Sequence, residues 1–452
     1  MYSLLFIAAN NIKKKKSNSV ILLCLVSLSV LLLYVSISIL TNSGKVMDMA
    51  YEKAHSADYY FMSSSDKTEE LTALMKEQPE VEEFETEECL YILDARYHKE
   101  SGKEKTYQFI FGSIDTERRI GKLQQESENS LTESKISDNS ILLPYYLKAD
   151  GSFKEGDILF LSLRGIEYKF IVSGFVEDPL FATPLNISVY KCYITEKCMQ
   201  DILSREPELN NNVHQEYKVR LKKGESSSVF EKKMSELIST EIPDLEGQTN
   251  LELNYEVMRE GNTVLSDIVM EVMLVFSILL IFIGLIIIRF SVRSFVEENM
   301  KNIGILQSSG YTGKQLQRAS ILEIMGITFI GVAIGLLLGA VCSIPIGNLE
   351  ASIIGLRWSQ IFDYRAAVIS CGLVLILVLV ATASVSRIYR KVTVLDALRG
   401  GIHTHNFKKN YLPNFNIAIE RAKKFASDEQ ELLDHIGCNI WKLLELMREY
   451  KK

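Results

Sequence analysis

Side chains that could do chemistry are few and scattered in this sequence. His403 and His405 could invite a metal ion near the C-terminus, but no acid or cysteine stands beside them, and two histidines alone make a poor site. No H-E-x-x-H, G-x-S-x-G or C-x-x-C motif occurs, and the G-x-x-x-x-G-K-[ST] phosphate cradle is absent. We therefore predict no catalytic, cofactor-binding or metal-binding residue in this chain.

Two further pairs of reactive side chains admit simple interpretations. Asp267 and Glu271 are four residues apart at the start of an apolar segment, and ionisable groups in such segments are candidates for a proton or ion path. We favour a helix that begins near residues 256–262 and leaves both acids at a wet interface. Cys192 and Cys198 are close enough in sequence to suggest a disulfide, but only weakly, because Cys89 would stay unpaired.

Four apolar segments dominate the organisation of the chain. Each is long enough to cross a hydrocarbon core of about 30 Å, and they fall at residues 20–40, 263–290, 320–346 and 366–386. A cleaved signal peptide would have a shorter apolar region than the first segment, and Ser38–Thr41 is a poor cleavage site. The sequence therefore predicts an α-helical membrane protein with one span, a large insert and three more spans.

Basic residues flank these spans unevenly and predict their orientation. Lysines and arginines cluster in the segments 1–19, 291–319 and 387–452, which the positive-inside rule places in the cytoplasm. Both termini are then cytoplasmic, and residues 41–262 and the loop 347–365 lie outside. We expect a multi-pass protein of a bacterial plasma membrane.

The insert 41–262 is large enough to fold as an α+β domain with its own core. It holds 26 basic and 42 acidic residues, and this acidic balance argues against a nucleic-acid partner. Residues 41 to about 90 are interpreted as helical. Alternating apolar residues predict strands at 91–93, 107–111, 158–163, 168–176 and 217–221, with a hairpin at Arg164-Gly165 and a helix at 227–238.

Gly331, Gly335 and Gly339 recur every four residues in the third span. They therefore line one helical face, where small residues let another helix approach at close backbone distance. The alternative is an incidental run of glycines. We predict a helix-packing face and expect it near an interface with a second chain.

The cytoplasmic segment between the second and third spans carries a family resemblance. It contains Asn302-Ile303-Gly304-Ile305-Leu306, then Gly310 and a helix that opens on Gln315-Leu316. This order resembles the E-I-G-I-L loop of FtsX-like (MacB-type) ABC transporter permeases, although this chain has Asn302 where that family usually has Glu. Further matching landmarks lie at Asn11–Lys16, Lys154–Asp157 and Val394–Arg399.

The resemblance implies a coupling role for this segment. A separate cytoplasmic ATPase subunit, which binds the ATP and Mg, would dock on a short helix and turn. The residues implied are Arg293, Phe295, Glu297, Glu298, Lys301, Ile303, Gly304, Leu306 and Gly310. An ordinary amphipathic helix that lies against lipid remains the alternative.

Four helices and one outer domain make half of such a transporter, so the resemblance also implies a dimer or a related second permease chain. The predicted function is the permease subunit of an ABC transporter that converts ATP hydrolysis into movement of the outer domain, to expel peptides or lipophilic substrates such as antimicrobial peptides. The alternative is a membrane sensor or scaffold that regulates a cell-wall hydrolase or a signalling kinase. The tail 414–452 contains apolar residues at helical spacing and predicts an amphipathic helix.

Overall fold

The computed structural model of the protein describes residues 16–64, 67–100, 102–125, 137–245, 251–358 and 362–392. Several sequence features lie outside these residues, namely Asn11–Lys15, Val394–Arg399, His403, His405 and the helix predicted in 414–452. The chain divides into two compact units. The first contains residues 1–292 and 317–387, and the second contains residues 293–316 and 388–452.

Within the described residues, four helices are long and apolar enough to cross a membrane. Helix α1 precedes the large domain and α7, α9 and α10 follow it, with bounds Lys16–Ala54, Tyr255–Glu298, Gly313–Ile354 and Tyr364–Val385. The first three contain 39, 44 and 42 residues, about twice what a bilayer requires, so each extends well beyond its apolar part. Helix α7 begins at Tyr255, one residue before the range 256–262 in which its start was predicted.

The domain between α1 and α7 is built on a mixed sheet, of which ten strands lie in the part of the chain that the structure describes. Its strands are β1 Tyr59–Ser64, β2 Val81–Lys99, β3 Lys105–Ser113, β4 Gln124–Gln125, β5 Ser140–Pro144, β6 Ile158–Leu163, β7 Ile166–Glu177, β8 Val189–Ile194, β9 Val213–Leu221 and β10 Leu251–Asn254. The shorter helices are α2 Thr68–Lys76, α3 Tyr146–Ala149, α4 Pro184–Ile187, α5 Glu196–Arg205, α6 Ser227–Glu241 and α8 Met300–Ser308, with 3₁₀ turns at Pro207–Asn212, Pro243–Leu245 and Ser386–Arg390.

The long strand β2 divides this domain into two lobes. Its first half pairs with β9, and its end pairs with β6. The pairings β2-β3-β8-β5-β7-β6 return to β2 and close a ring, whose core contains the stacked rings of Phe109 and Phe111. The order β10-β1-β9 extends the sheet on the other side of β2, and residues of α2 and α6 pack there on Tyr59 and Tyr217.

The structure confirms the five predicted strands, which lie within β2, β3, β6, β7 and β9, and corrects part of one predicted helix. The β6–β7 hairpin is antiparallel with Leu163 opposite Ile166, and the helix predicted at 227–238 is present within α6. The helical interpretation of residues 41–90 is right for α1 up to Ala54 and for α2, but it is wrong at β1 and at the first half of β2. Both segments gain ladders to the distant strand β9, and this tertiary pairing overrides local preference. Cys192 and Cys198 are both free thiols.

A chain of buried charges joins the ring strand β8 to strands β2 and β9. Glu216 of β9 accepts a hydrogen bond from Lys191 of β8 at 2.9 Å, and Glu87 of β2 accepts one from Lys218 of β9 at 2.5 Å. Arg118 also bonds to Glu87. Burial raises the pKa of the Glu216 carboxyl, but the ammonium groups of Lys191 and Lys218 lower it by more, to about 2. The network therefore connects three strands through fully charged groups.

Candidate coupling segment and its joints

The predicted coupling segment lies in the second unit as a helix with defined ends. Helix α7 ends at Glu298, and Asn299 leaves helical geometry with φ −107° and ψ 22°. Its backbone N–H still donates to Phe295 O at 3.0 Å, and its carbonyl accepts from Ile303 N at 3.0 Å. The chain therefore changes direction at one residue while its hydrogen bonds are kept, and α8 follows at once.

Gly310 ends α8 in a backbone conformation that few residue types adopt. Its φ is +97°, a left-handed conformation that glycine adopts without a Cβ penalty. Gly310 N donates to Gln307 O and Tyr311 N donates to Leu306 O, each at 3.1 Å, which together form a Schellman motif. The next helix starts with a capping box, because Thr312 N donates to the Gln315 side chain at 2.8 Å and Gln315 N donates to Thr312 Oγ1 at 3.3 Å.

The charged residues predicted to contact an ATPase lie on the surface of this unit. Arg293 Nε donates to Glu297 Oε1 at 2.9 Å, and the two side chains are 60% and 52% exposed. Ser294 Oγ donates to Glu298 Oε1 at 2.7 Å, and Lys301 is exposed. These side chains form a polar edge that a protein partner could reach.

The apolar residues of the segment are placed differently from one another. Ile303 is only 3% exposed, Gly304 is also buried, and Phe295 and Leu306 are half-buried. Ile305 is 56% exposed, and sequence reasoning did not single it out. Ile303 therefore offers no surface to a partner, whereas Ile305 does. A helical wheel of α8 alone could not separate the two, because the direction of burial depends on the fold around the helix.

Residues after the fourth long helix brace the coupling segment from within the same unit. Gln307 Nε2 donates to Val392 O at 3.2 Å. A Cβ added to Gly313 would come within 2.8 Å of Tyr389 O, so glycine allows the two backbone segments to approach. The brace fixes both ends of the turn that contains Gly310.

In the first unit, the three glycines of α9 face α1. A Cβ on Gly331 would lie 2.9 Å from Val26 Cγ1, and one on Gly339 would lie 2.8 Å from a ring carbon of Tyr34. At Gly335 it would meet the α1 backbone, with Ser27 Cα at 3.0 Å. The partner helix therefore belongs to the same chain, and the expected place of this helix near a second chain stays a prediction.

The first unit also contains a joint between the ends of α1 and α7 that adjoin the large domain. Arg259 donates from Nε to Asp48 Oδ1 at 2.6 Å and from Nη2 to Asp48 Oδ2 at 2.9 Å. The Tyr255 hydroxyl donates to the same carboxylate at 3.0 Å. Burial raises the pKa of the Asp48 carboxyl, but these hydrogen bonds and the Arg259 charge leave it below its usual value. Gly44 leaves the room that the guanidinium occupies.

Two more contacts in this unit attach the large domain to the helices. Arg357, after α9, donates through its backbone N–H and its side chain to Glu177 of β7, at 2.5 and 2.9 Å. Asn186 of α4 donates to Asn262 of α7 at 2.6 Å. The domain is therefore held by α1, by α7 and by the segment after α9, and none of these contacts was predicted because each joins residues distant in sequence.

The acids Asp267 and Glu271 have separate surroundings. Asp267 accepts a hydrogen bond from Ser43 of α1 at 2.9 Å, and Glu271 is exposed. Their place at a wet interface stays a prediction. Among the residues that the structure describes, no group of three His, Cys, Asp or Glu side chains could hold a metal ion.

Comparison with known proteins gives a match for part of the chain. Residues 274–394 match the family model "FtsX-like permease C-terminal". Among solved structures, a domain of a protein described as a permease from Porphyromonas gingivalis is 14% identical, covering 43% of this chain and 87% of that one, with a TM-score of 0.23. The extracellular domain of the noncanonic ABC-type transporter YknZ from Gram-positive bacteria is 12% identical, covering 44% and 100%, with a TM-score of 0.23. No curated protein sequence matches.

Proposed function

Because the chain carries an FtsX-like permease C-terminal domain over residues 274–394, as its sequence suggested, we propose that it couples ATP hydrolysis in a separate ATPase subunit to movement of its own outer domain. In this proposal α1, α7, α9 and α10 cross the plasma membrane once each. The sheet domain lies outside, and α8 and both termini lie in the cytoplasm. ATP and Mg bind the ATPase subunit and not this chain.

The observation that carries this proposal is the continuity of α7. This helix begins directly after the edge strand β10 and runs without interruption from Tyr255 to Glu298, one residue before α8 begins. A hydrogen-bonded helix transmits displacement along its axis better than a loop does, because every turn is bonded to the next. A push on α8 would therefore reach the outer domain through one element.

The joints of the outer domain support the same function. Asp48–Arg259 ties the end of α7 to the end of α1, and Arg357–Glu177 ties the segment after α9 to β7. A domain held at three points follows the helices instead of swinging freely. We propose that this motion expels peptides or lipophilic molecules such as antimicrobial peptides, and that a second permease chain completes the transporter.

Ile305 gives the sharpest test of the coupling step. The protein would be co-expressed with an ABC ATPase subunit from the same genome that associates with the wild type, and association and ATP turnover would be measured for wild type and Ile305→Glu. Because Ile305→Glu also places a charge in the contact, we expect a loss of the size of a hot spot, about 2 kcal/mol, and association roughly 30-fold weaker.

The matched control is Val229→Glu, which changes an apolar side chain that is 68% exposed in the outer domain. This variant should associate like wild type. Wild-type association and stimulated ATP turnover by Ile305→Glu would contradict docking on α8.

A further inference from the structure

A groove of about 780 Å³ lies beside the end of α1 that adjoins the large domain. One wall comes from α1 and contains Lys45 and Met49, and the other comes from Trp358 and from residues 362–365 at the start of α10. All of its lining residues belong to the first unit. A volume of this size is typical of sites that take small amphiphilic ligands, since such pockets span roughly 300–1,000 Å³.

The apolar part of the groove is unusually exposed for an aromatic surface. Met49 is 46% exposed, Phe362 is 48% exposed and Tyr364 is 64% exposed, and Trp358 lines the same groove. Tryptophan and tyrosine are enriched at the level of lipid headgroups, where one end of the side chain is apolar and the other is wet. Phe362 and Tyr364 lie at the N-terminal end of α10, next to its apolar part. Aromatic side chains at this position suit the membrane interface.

The charges of the groove favour an anion. One of its three acids, Asp48, is already paired with Arg259, a cation that does not line the groove. Asp363 keeps its charge because it accepts from neutral donors, among them Asn42 and the first backbone N–H groups of α10. Glu52 and Asp363 therefore face three cations, and these are Lys45, Lys53 and Arg365. Arg365 also lies over the Tyr364 ring at 5.8 Å, which places positive charge directly beside the aromatic surface.

We propose that this groove binds an anionic phospholipid of the outer leaflet, with its phosphate between Lys45 and Arg365 and its upper acyl chain on Met49 and the aromatic side chains. The proposal rests on the membrane placement given under Proposed function and not on coupling to an ATPase. A ligand with a phosphate at one end and an acyl chain at the other would explain why cations and exposed aromatic rings line the same groove. Binding here would link lipid to the α1 end at which Asp48 and Arg259 join the two helices.

The test is photolabelling of the full-length chain in detergent, without an ATPase. Phosphatidylglycerol with a diazirine on its acyl chain would be irradiated with the protein, and labelled peptides identified by mass spectrometry. We expect label on the peptides that contain Met49 and Tyr364. Lys45→Gln and Arg365→Gln should each lower this labelling about fivefold, as expected for one cation at a lipid headgroup.

Met49→Trp provides a variant that keeps every charge and fills the groove, and it should also lower the label. The control Lys103→Gln/Lys105→Gln removes two exposed cations of the outer domain and should leave labelling unchanged. A single gel-filtration peak for each variant shows that it is folded. If the label is found on α7 and α9 instead, and to the same extent in every variant, the groove is not a phospholipid site. Loss of the label with excess soluble glycerophosphate would also overturn a phospholipid site. Failure of ATPase association would leave this result untouched.

Discussion

The ion pairs of the outer domain and those of the coupling segment differ in one respect that decides their roles. In the domain, the side chains of Lys191 and Glu216 are 3% and 1% exposed. On the coupling segment, those of Arg293 and Glu297 are 60% and 52% exposed. Water screens the second pair and cannot reach the first. The comparison teaches that the same chemistry specifies a fold in one place and leaves a surface open to a partner in the other.

Buried charges are costly unless every member keeps its partners, so the domain network should fail when one member is removed. Glu216 accepts from Lys191 at 2.9 Å and from Tyr60 at 2.9 Å, and Lys218 lies within 3.5 Å. In an exposed pair, the side chain that is left after its partner is removed can hydrogen-bond to water instead. Three perturbations, ordered by expected effect, follow from this difference and from the tight packing of the glycine face.

The largest effect is expected for Glu216→Gln, which leaves two buried ammonium groups without their shared carboxylate. Removing one partner of a buried pair commonly costs about 3–5 kcal/mol. The loss of stability should appear as faster hydrogen exchange of the backbone amides of β8 and β9, measured on the full-length chain in detergent. Glu88→Gln is the matched control, because Glu88 is exposed on the neighbouring strand and should change stability by less than about 0.5 kcal/mol.

The pH dependence of the same exchange provides a second readout. The pKa of Glu216 is about 2 in the folded protein, against about 4.3 for an unfolded glutamate. Its depressed pKa contributes stability that is present above the unfolded value and is lost as the pH falls toward 2. Wild type should therefore lose protection of β9 across this window more steeply than Glu216→Gln does. Equal slopes would mean that Glu216 carries no charge in the folded domain.

The sequence predicted the elements whose signal is local and missed those made by distant partners. The hairpin of β6 and β7 was predictable because alternation and Arg164-Gly165 lie within one short stretch. Strand β1 was not, because Tyr59–Ser64 is stabilised by β9 and β10, more than a hundred residues away. At the candidate site, the loop with Gly310 was predictable, whereas the burial of Ile303 and exposure of Ile305 depend on tertiary packing.

An intermediate effect is expected at the contact between α9 and α1. A Cβ on Gly335 would lie 2.9 Å from Val30 Cβ and 3.0 Å from Ser27 Cα, so Gly335→Ala must push the helices apart. Overpacking of this kind costs about 1–3 kcal/mol. Gly326→Ala on the same helix meets nothing within 4 Å and should be neutral or stabilising by up to about 1 kcal/mol. Thermal unfolding midpoints in detergent should shift in opposite directions, and a shared direction would contradict the close contact.

The smallest effect on stability is expected for Glu297→Gln, which breaks the pair with Arg293 on the coupling segment. Both side chains are more than half exposed, and an exposed pair four residues apart on a helix contributes about 0.3–0.5 kcal/mol. The thermal midpoint should therefore stay close to that of wild type, while association with the ATPase subunit weakens if this polar edge meets the partner. Ser294→Ala, which removes the neighbouring bond to Glu298, keeps all charges and serves as the control. A large loss of stability in Glu297→Gln with unchanged association would reverse the comparison, because the pair would then support the fold and not an interface.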